Sequence, residues 1–197
     1  MSDTIRSAKE IALDKIKEID EITPEDRMRW KYVPAGEKLA QKYLVEDISL
    51  EDGLASYSPD EAVFVKQGIE PILLAALDVP RNEEVAAKTQ KVMGGLMTIK
   101  EDKETTAGLL GQLQQVFEHY TGVGEQQKQQ AYQSFKQKFE QRLRQTMREQ
   151  QGVDYPGEIN VEQYPQFKDE WRRNLAQFDR QYLHSIDLIK KELAGVA

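Results

Sequence analysis

Residues 166–193 read QFKDEWRRNLAQFDRQYLHSIDLIKKEL. Phe167, Trp171, Leu175, Phe178, Tyr182, Ile186, Ile189 and Leu193 recur by three and four, the spacing that lines one face of an α-helix. The stripe is close to a heptad seam, so it predicts one long helix that needs a partner helix. At 1.5 Å per residue such a helix reaches roughly 40 Å.

The partner lies just upstream. Residues 124–152, GEQQKQQAYQSFKQKFEQRLRQTMREQQG, place Tyr132, Phe135, Phe139, Leu143 and Met147 on one stripe. Six basic residues, Lys128, Lys136, Lys138, Arg142, Arg144 and Arg148, face Glu125, Glu140 and Glu149. A membrane-surface helix needs a wider apolar face, and a nucleic-acid groove needs more net positive charge. Glutamine forms helix well and carries no charge to repel a neighbour. A narrow seam between uncharged shoulders therefore suits a helix lying against another helix. The segment between the two, GVDYPGEINVEQYP, holds two prolines and two glycines and must reverse the chain. Strand-like alternation occurs only in its EINVEQY, so any sheet is trivial. The two stripes should meet antiparallel, with Phe139 near the middle of one seam and Phe178 near the middle of the other.

Toward the N-terminus the helical signals continue. Ile5, Ala8, Ala12, Ile16 and Ile19 form one stripe. Thr23-Pro24-Glu25-Asp26 and Ser58-Pro59-Asp60-Glu61 are helix starts of one design: a capping hydroxyl, proline at the first turn and acids at the positive end of the dipole. Ser58 and Glu61 also have capping-box spacing. Residues 62–79, AVFVKQGIEPILLAALDV, form the most apolar segment, expected to break or kink between Gly68 and Pro71. Val85, Thr89, Val92, Leu96 and Ile99 make a further stripe, and so do Leu109, Leu113, Val116, Phe117 and Tyr120. Gly122 and Gly124 are expected to end that last helix.

The 197 residues contain no cysteine, which excludes disulfides, thiolate metal sites and thiol nucleophiles. The first twenty residues are charged throughout and lack the apolar core of a secretion signal. The longest apolar run, residues 72–77, is far short of the roughly 20 residues of a membrane span. A cytoplasmic protein with no membrane span is expected. The net charge of −7 is concentrated in residues 1–80, where 17 acids outnumber 10 bases. That disfavours nucleic acid as a partner of the whole chain.

No pattern supports a metal, a cofactor or a catalytic centre. Val116 and Gln181 stand three residues before His119 and His184, where a di-iron bundle would carry glutamates. A nucleophile elbow is missing. The glycines at 94–95 and at 108 and 111 lack the Gly-Lys-Ser/Thr of a phosphate loop; close approach of helix backbones explains them better. Arg27-Met28-Arg29-Trp30-Lys31-Tyr32 is a dense basic–aromatic cluster of the kind that stacks on single strands. In an acidic N-terminal third it reads better as a tryptophan anchoring its helix to the core, its basic neighbours paired with the acidic first helix.

The phrases IRSAKEIALDKIKEI and GEKLAQKYL, within the first 45 residues, resemble the start of uncharacterised bacterial helical proteins of unknown function. That resemblance implies a bacterial origin and supplies no catalytic residue.

These readings predict an all-α fold: a multi-helix body over residues 1–121 and a long antiparallel hairpin over residues 122–197. The expected function is a non-enzymatic interaction or scaffold protein forming a homodimer. Its contacts would run through Tyr132, Phe135, Phe139, Leu143, Trp171, Phe178 and Tyr182. The alternative is a binding module for nucleic acid or an anionic ligand through Arg29, Trp30, Lys31 and the basic residues of 128–148. Exposure of Trp30 beside arginines would favour that alternative; burial would favour the scaffold.

Overall fold

The computed structural model describes residues 23–46, 48–152 and 157–197. The stripe from Ile5 to Ile19 lies outside them. Among the described residues the fold is all-α, without strands. They divide into two compact units, with the boundary between Ala75 and Ala76.

The first unit holds α1 (Pro24–Val45), α2 (Leu50–Leu54) and most of α3 (Pro59–Ala76). Both designed starts work as read. Thr23 and Asp26 exchange bonds in a capping box at α1. Ser58 and Glu61 do so at α3, at 3.0 and 3.4 Å. Each reciprocal pair satisfies backbone donors that a helix start leaves open. Of the break or kink expected in α3, the break does not occur: Pro71 sits inside a helix that continues to Ala76.

A close helix approach lies here, at Gly36 and Gly68 rather than at Gly108 and Gly111. A Cβ on Gly36 would stand 2.0 Å from the carbonyl oxygen of Val65; one on Gly68 would stand 2.0 Å from that of Val33. Two helix backbones therefore touch through reciprocal glycines on α1 and α3. Gly108 and Gly111 have nothing within 4 Å of a Cβ.

The second unit holds α4 (Glu83–Ile99), α5 (Lys103–His119), α6 (Glu125–Gln151) and α7 (Pro165–Gly195). Asn82 caps α4 and Asp102 caps α5 through their side-chain oxygens. Gly122 and Gly124 do not end a helix. Residues Tyr120–Gly124 form one π-turn that carries the chain from α5 into α6 without a break. The chain leaves α6 at Gly152, with φ at +64°, the left-handed stop that glycine adopts without strain. The EINVEQY segment forms no strand; Val161–Gln163 is a single 3-10 turn.

The hairpin is antiparallel: Lys128 of α6 lies near Phe178 of α7, and Phe139 near Phe167. The core splits accordingly. Val92, Leu96, Leu113, Phe117, Ile186 and Leu193 are buried where α4, α5 and the second half of α7 lie. A smaller cluster of Phe139, Val161 and Phe167 is buried farther out along the hairpin, with Tyr132, Phe135, Leu143, Ile159 and Tyr164 packed against it.

Candidate functional site

The hairpin arm collects most of the aromatic residues that the sequence singles out. Trp171 stacks on Phe135 with ring centres 5.7 Å apart and meets Tyr132 edge-on at 5.0 Å. Phe167 meets Phe135 at 5.0 Å and Phe139 at 5.3 Å. Leu143 packs against the same cluster. Offset and edge-on geometries of this kind add to simple burial. Polar bonds fix the register from outside. Tyr132 and Lys136 both donate to Glu162, at 2.7 and 2.8 Å, and Arg142 donates to Glu170 at 2.7 Å. The bond from Lys136, then that from Tyr132, holds the Glu162 carboxyl below its ordinary range.

Phe178 and Tyr182 do not face the stripe of α6 as expected. They meet Tyr120, at 6.4 and 5.0 Å between ring centres. The cause is register. The 3-10 turn returns the chain so that Phe139 faces Tyr164 and Phe167 at the start of α7. At 31 residues α7 also outlasts the 27 of α6. Its seam thus changes mates part-way, from α6 to α5 and the π-turn.

At that change lies a polar cluster that the sequence reading missed. Asp179 is 8 % exposed. It accepts from the Tyr120 hydroxyl at 2.9 Å and from Arg81 Nε at 2.8 Å. Arg81 also donates to Asp78 at 2.7 Å. Burial opposes the charge on Arg81, but its bonds to Asp179 and Asp78 outweigh burial and raise its pKa. Burial, reinforced by Asp179, pushes the Tyr120 phenol far above its ordinary value. Lys128 closes the cluster, its ammonium 4.2 Å from the centre of the Tyr120 ring and 2.6 Å from Glu125. Gly124 makes room: a Cβ there would stand 2.8 Å from the Tyr182 hydroxyl. Both oxygens of Asp179 are thus engaged, and the carboxylate ties the π-turn, α7 and the chain ahead of α4 together. An acid beside an otherwise apolar seam, at Phe178-Asp179, was the available signal.

Two grooves flank the arm. One, of 820 Å³, includes Arg81, Glu125, Lys128, Gln129, Trp171 and Leu175 in its lining. The other, of 470 Å³, includes Ala131, Phe135, Lys138, Trp171, Gln177 and Phe178. His119 and His184 are both exposed; His119 Nδ1 lies 3.0 Å from the Tyr182 hydroxyl. Among the described residues no group of three or more His, Asp or Glu side chains is placed to hold a metal ion.

The reading of Trp30 as an anchor is overturned. Trp30 is 65 % exposed. The buried face of α1 is Tyr32, Gly36 and Ala40, spaced by four; two residues before Tyr32, at 100° per residue, Trp30 points to the other side. Its basic neighbours turn to local partners. Arg29 pairs with Glu25 at 3.2 Å. Lys31 donates to the Tyr32 hydroxyl at 2.7 Å, and that hydroxyl donates to Glu61. The pairing expected with the first helix concerns residues outside those described.

What these elements define is an all-α protein whose most developed surface is an aromatic two-helix arm. The chain belongs to the Family of unknown function (DUF6657), whose model matches residues 51–195. The match spans the arm whole and leaves out Arg29, Trp30 and Lys31. No curated protein and no solved structure matches the chain. Among the described residues no helix is long and apolar enough to cross a membrane.

Proposed function

We infer that this protein is a non-enzymatic, cytoplasmic interaction protein that self-associates through the α6–α7 arm. The observation that carries the reading is the thinness of the arm. Of the described side chains of α6, that of Phe139 alone is buried. Tyr132, Phe135, Trp171, Leu175 and Phe178, which line the two grooves, are each left partly exposed, and so is Leu143. Two helices cannot cover an aromatic seam from both flanks; a second hairpin covers what they leave. Light scattering across a concentration series should give about twice the chain mass, falling toward one chain mass on dilution. A single chain mass at every concentration would sink the reading.

One observation favours a second reading. Trp30 is exposed beside arginines, the arrangement that suits a stacking platform for nucleic acid or an anionic ligand. Against it stand the acids Glu25 and Glu61, which engage Arg29 and the Lys31–Tyr32 pair. On this reading, single-stranded oligonucleotide quenches the fluorescence of a Trp171→Phe variant, and the quenching fades as salt rises. An emission spectrum unchanged at low salt removes it.

A further inference from the structure

We propose that the arm pairs with a second copy through one defined face, the one carrying Ala131, Asn174, Gln177, Gln181 and Leu188. This rests on the self-association reading and says which flank performs it.

The two flanks differ in charge. The 820 Å³ groove is bounded by Arg81, Glu125 and Lys128, all in ion pairs. The lining of the 470 Å³ groove carries a single charged residue, Lys138. In a chain that is 31 % charged, that scarcity of charge sets the groove apart. It continues along the protein. Gln181, Leu188 and Asn174 are seven residues apart on α7, so they share one face. Leu188 on that face is a large apolar residue left 48 % exposed. A third groove, of 420 Å³ between α5 and α7, includes Gln112, Gln115 and Ser185 in its lining and no Lys, Arg, Asp or Glu.

This chemistry fits a second copy better than a foreign partner. A two-fold axis sets each side chain of a face against the same face of the other copy. A charge near that axis meets its own sign. A carboxamide carries both a donor and an acceptor, so Gln177 or Gln181 can bond to its own counterpart. Foreign partners are typically selected by complementary charge, which this face lacks. Phe135 and Phe178 line the same groove and supply apolar area beside the amides. Two hairpins joined in this way make a four-helix arrangement.

The chain's lack of cysteine makes the test direct. Single cysteines are placed at Asn174, Gln177, Gln181 and Leu188 on the proposed face, and at Gln129 on the opposite flank. A symmetric disulfide forms only where two Cα atoms come within about 7 Å. Mild oxidation of the full chain should cross-link at least one face variant into a dimer, with less than a tenth of that yield for Gln129→Cys. In parallel, Gln177→Glu should raise the dimer dissociation constant by on the order of ten-fold, helicity unchanged, whereas Gln129→Glu leaves it alone. A dimeric wild type that Gln129→Glu dissociates and Gln177→Glu does not would overturn this face and leave self-association standing. A wild type that is monomeric throughout overturns both.

Discussion

Gly68→Ala and Gly36→Ala should each destabilise the first unit, by about 3 kcal/mol. Alanine ordinarily stabilises a helix interior by up to roughly 1 kcal/mol over glycine, so the direction of the effect is diagnostic. The new methyl at 68 would lie 2.0 Å from the Val33 carbonyl oxygen and 3.0 Å from the Glu37 nitrogen. Both are backbone atoms, which cannot rotate away as a side-chain end can. Relief requires α1 and α3 to separate, and separation opens a void beside Val65 and Ile69, both fully buried. Hydrogen exchange reads this locally: amides of 24–45 and 59–76 should lose protection in either variant. Gly108→Ala and Gly111→Ala serve as controls. With nothing within 4 Å, each should be neutral or stabilising by up to about 1 kcal/mol. Equal melting of Gly68→Ala and Gly108→Ala would refute the crossing.

The contrast between these glycines marks where sequence stops being informative. Helix identity was legible because the period of apolar residues and the capping chemistry are local: Thr23 with Asp26 and Ser58 with Glu61 are decided within four residues. The antiparallel hairpin was legible because a turn-rich segment joins two striped helices. Which backbones touch is not local. A glycine inside a helix looks alike whether it faces solvent, as Gly108 does, or a neighbouring carbonyl, as Gly68 does. Register was lost for the same reason. Nothing in the spacing of Phe178 distinguishes a mate on α6 from Tyr120 on the π-turn; only the length of the return through Val161–Gln163 decides it. Trp30 was misread for the same reason. Its chemistry suggested an anchor, but the buried face of α1 is the one with Tyr32, Gly36 and Ala40, and nothing local to Gly36 marks it as facing a neighbouring helix.

Asp179→Ala should cost about 3 kcal/mol, more than any single surface ion pair in the chain. Removing the carboxylate leaves two donors with no acceptor there. The Tyr120 hydroxyl belongs to a residue 2 % exposed and cannot recover its bond from solvent. Arg81 keeps Asp78 at 2.7 Å and partial exposure, so its loss is softened, which holds the total below the upper end for a buried pair. Tyr120→Phe should cost less, roughly 1.5 kcal/mol, because it removes a donor and leaves Asp179 still bonded to Arg81. The double variant should cost less than the sum of the two, since once the hydroxyl is gone Asp179→Ala strands one donor rather than two. Alkaline titration adds an independent readout. The Tyr120 phenol is held above its ordinary value in the folded state, so its contribution is complete below about pH 10 and is lost as pH rises beyond that. Phenolate absorbance should therefore show Tyr120 ionising only as the fold opens, a contribution that Tyr120→Phe removes. Unfolding curves of the single and double variants that superimpose on the wild type would mean that Asp179 does not hold the π-turn to α7.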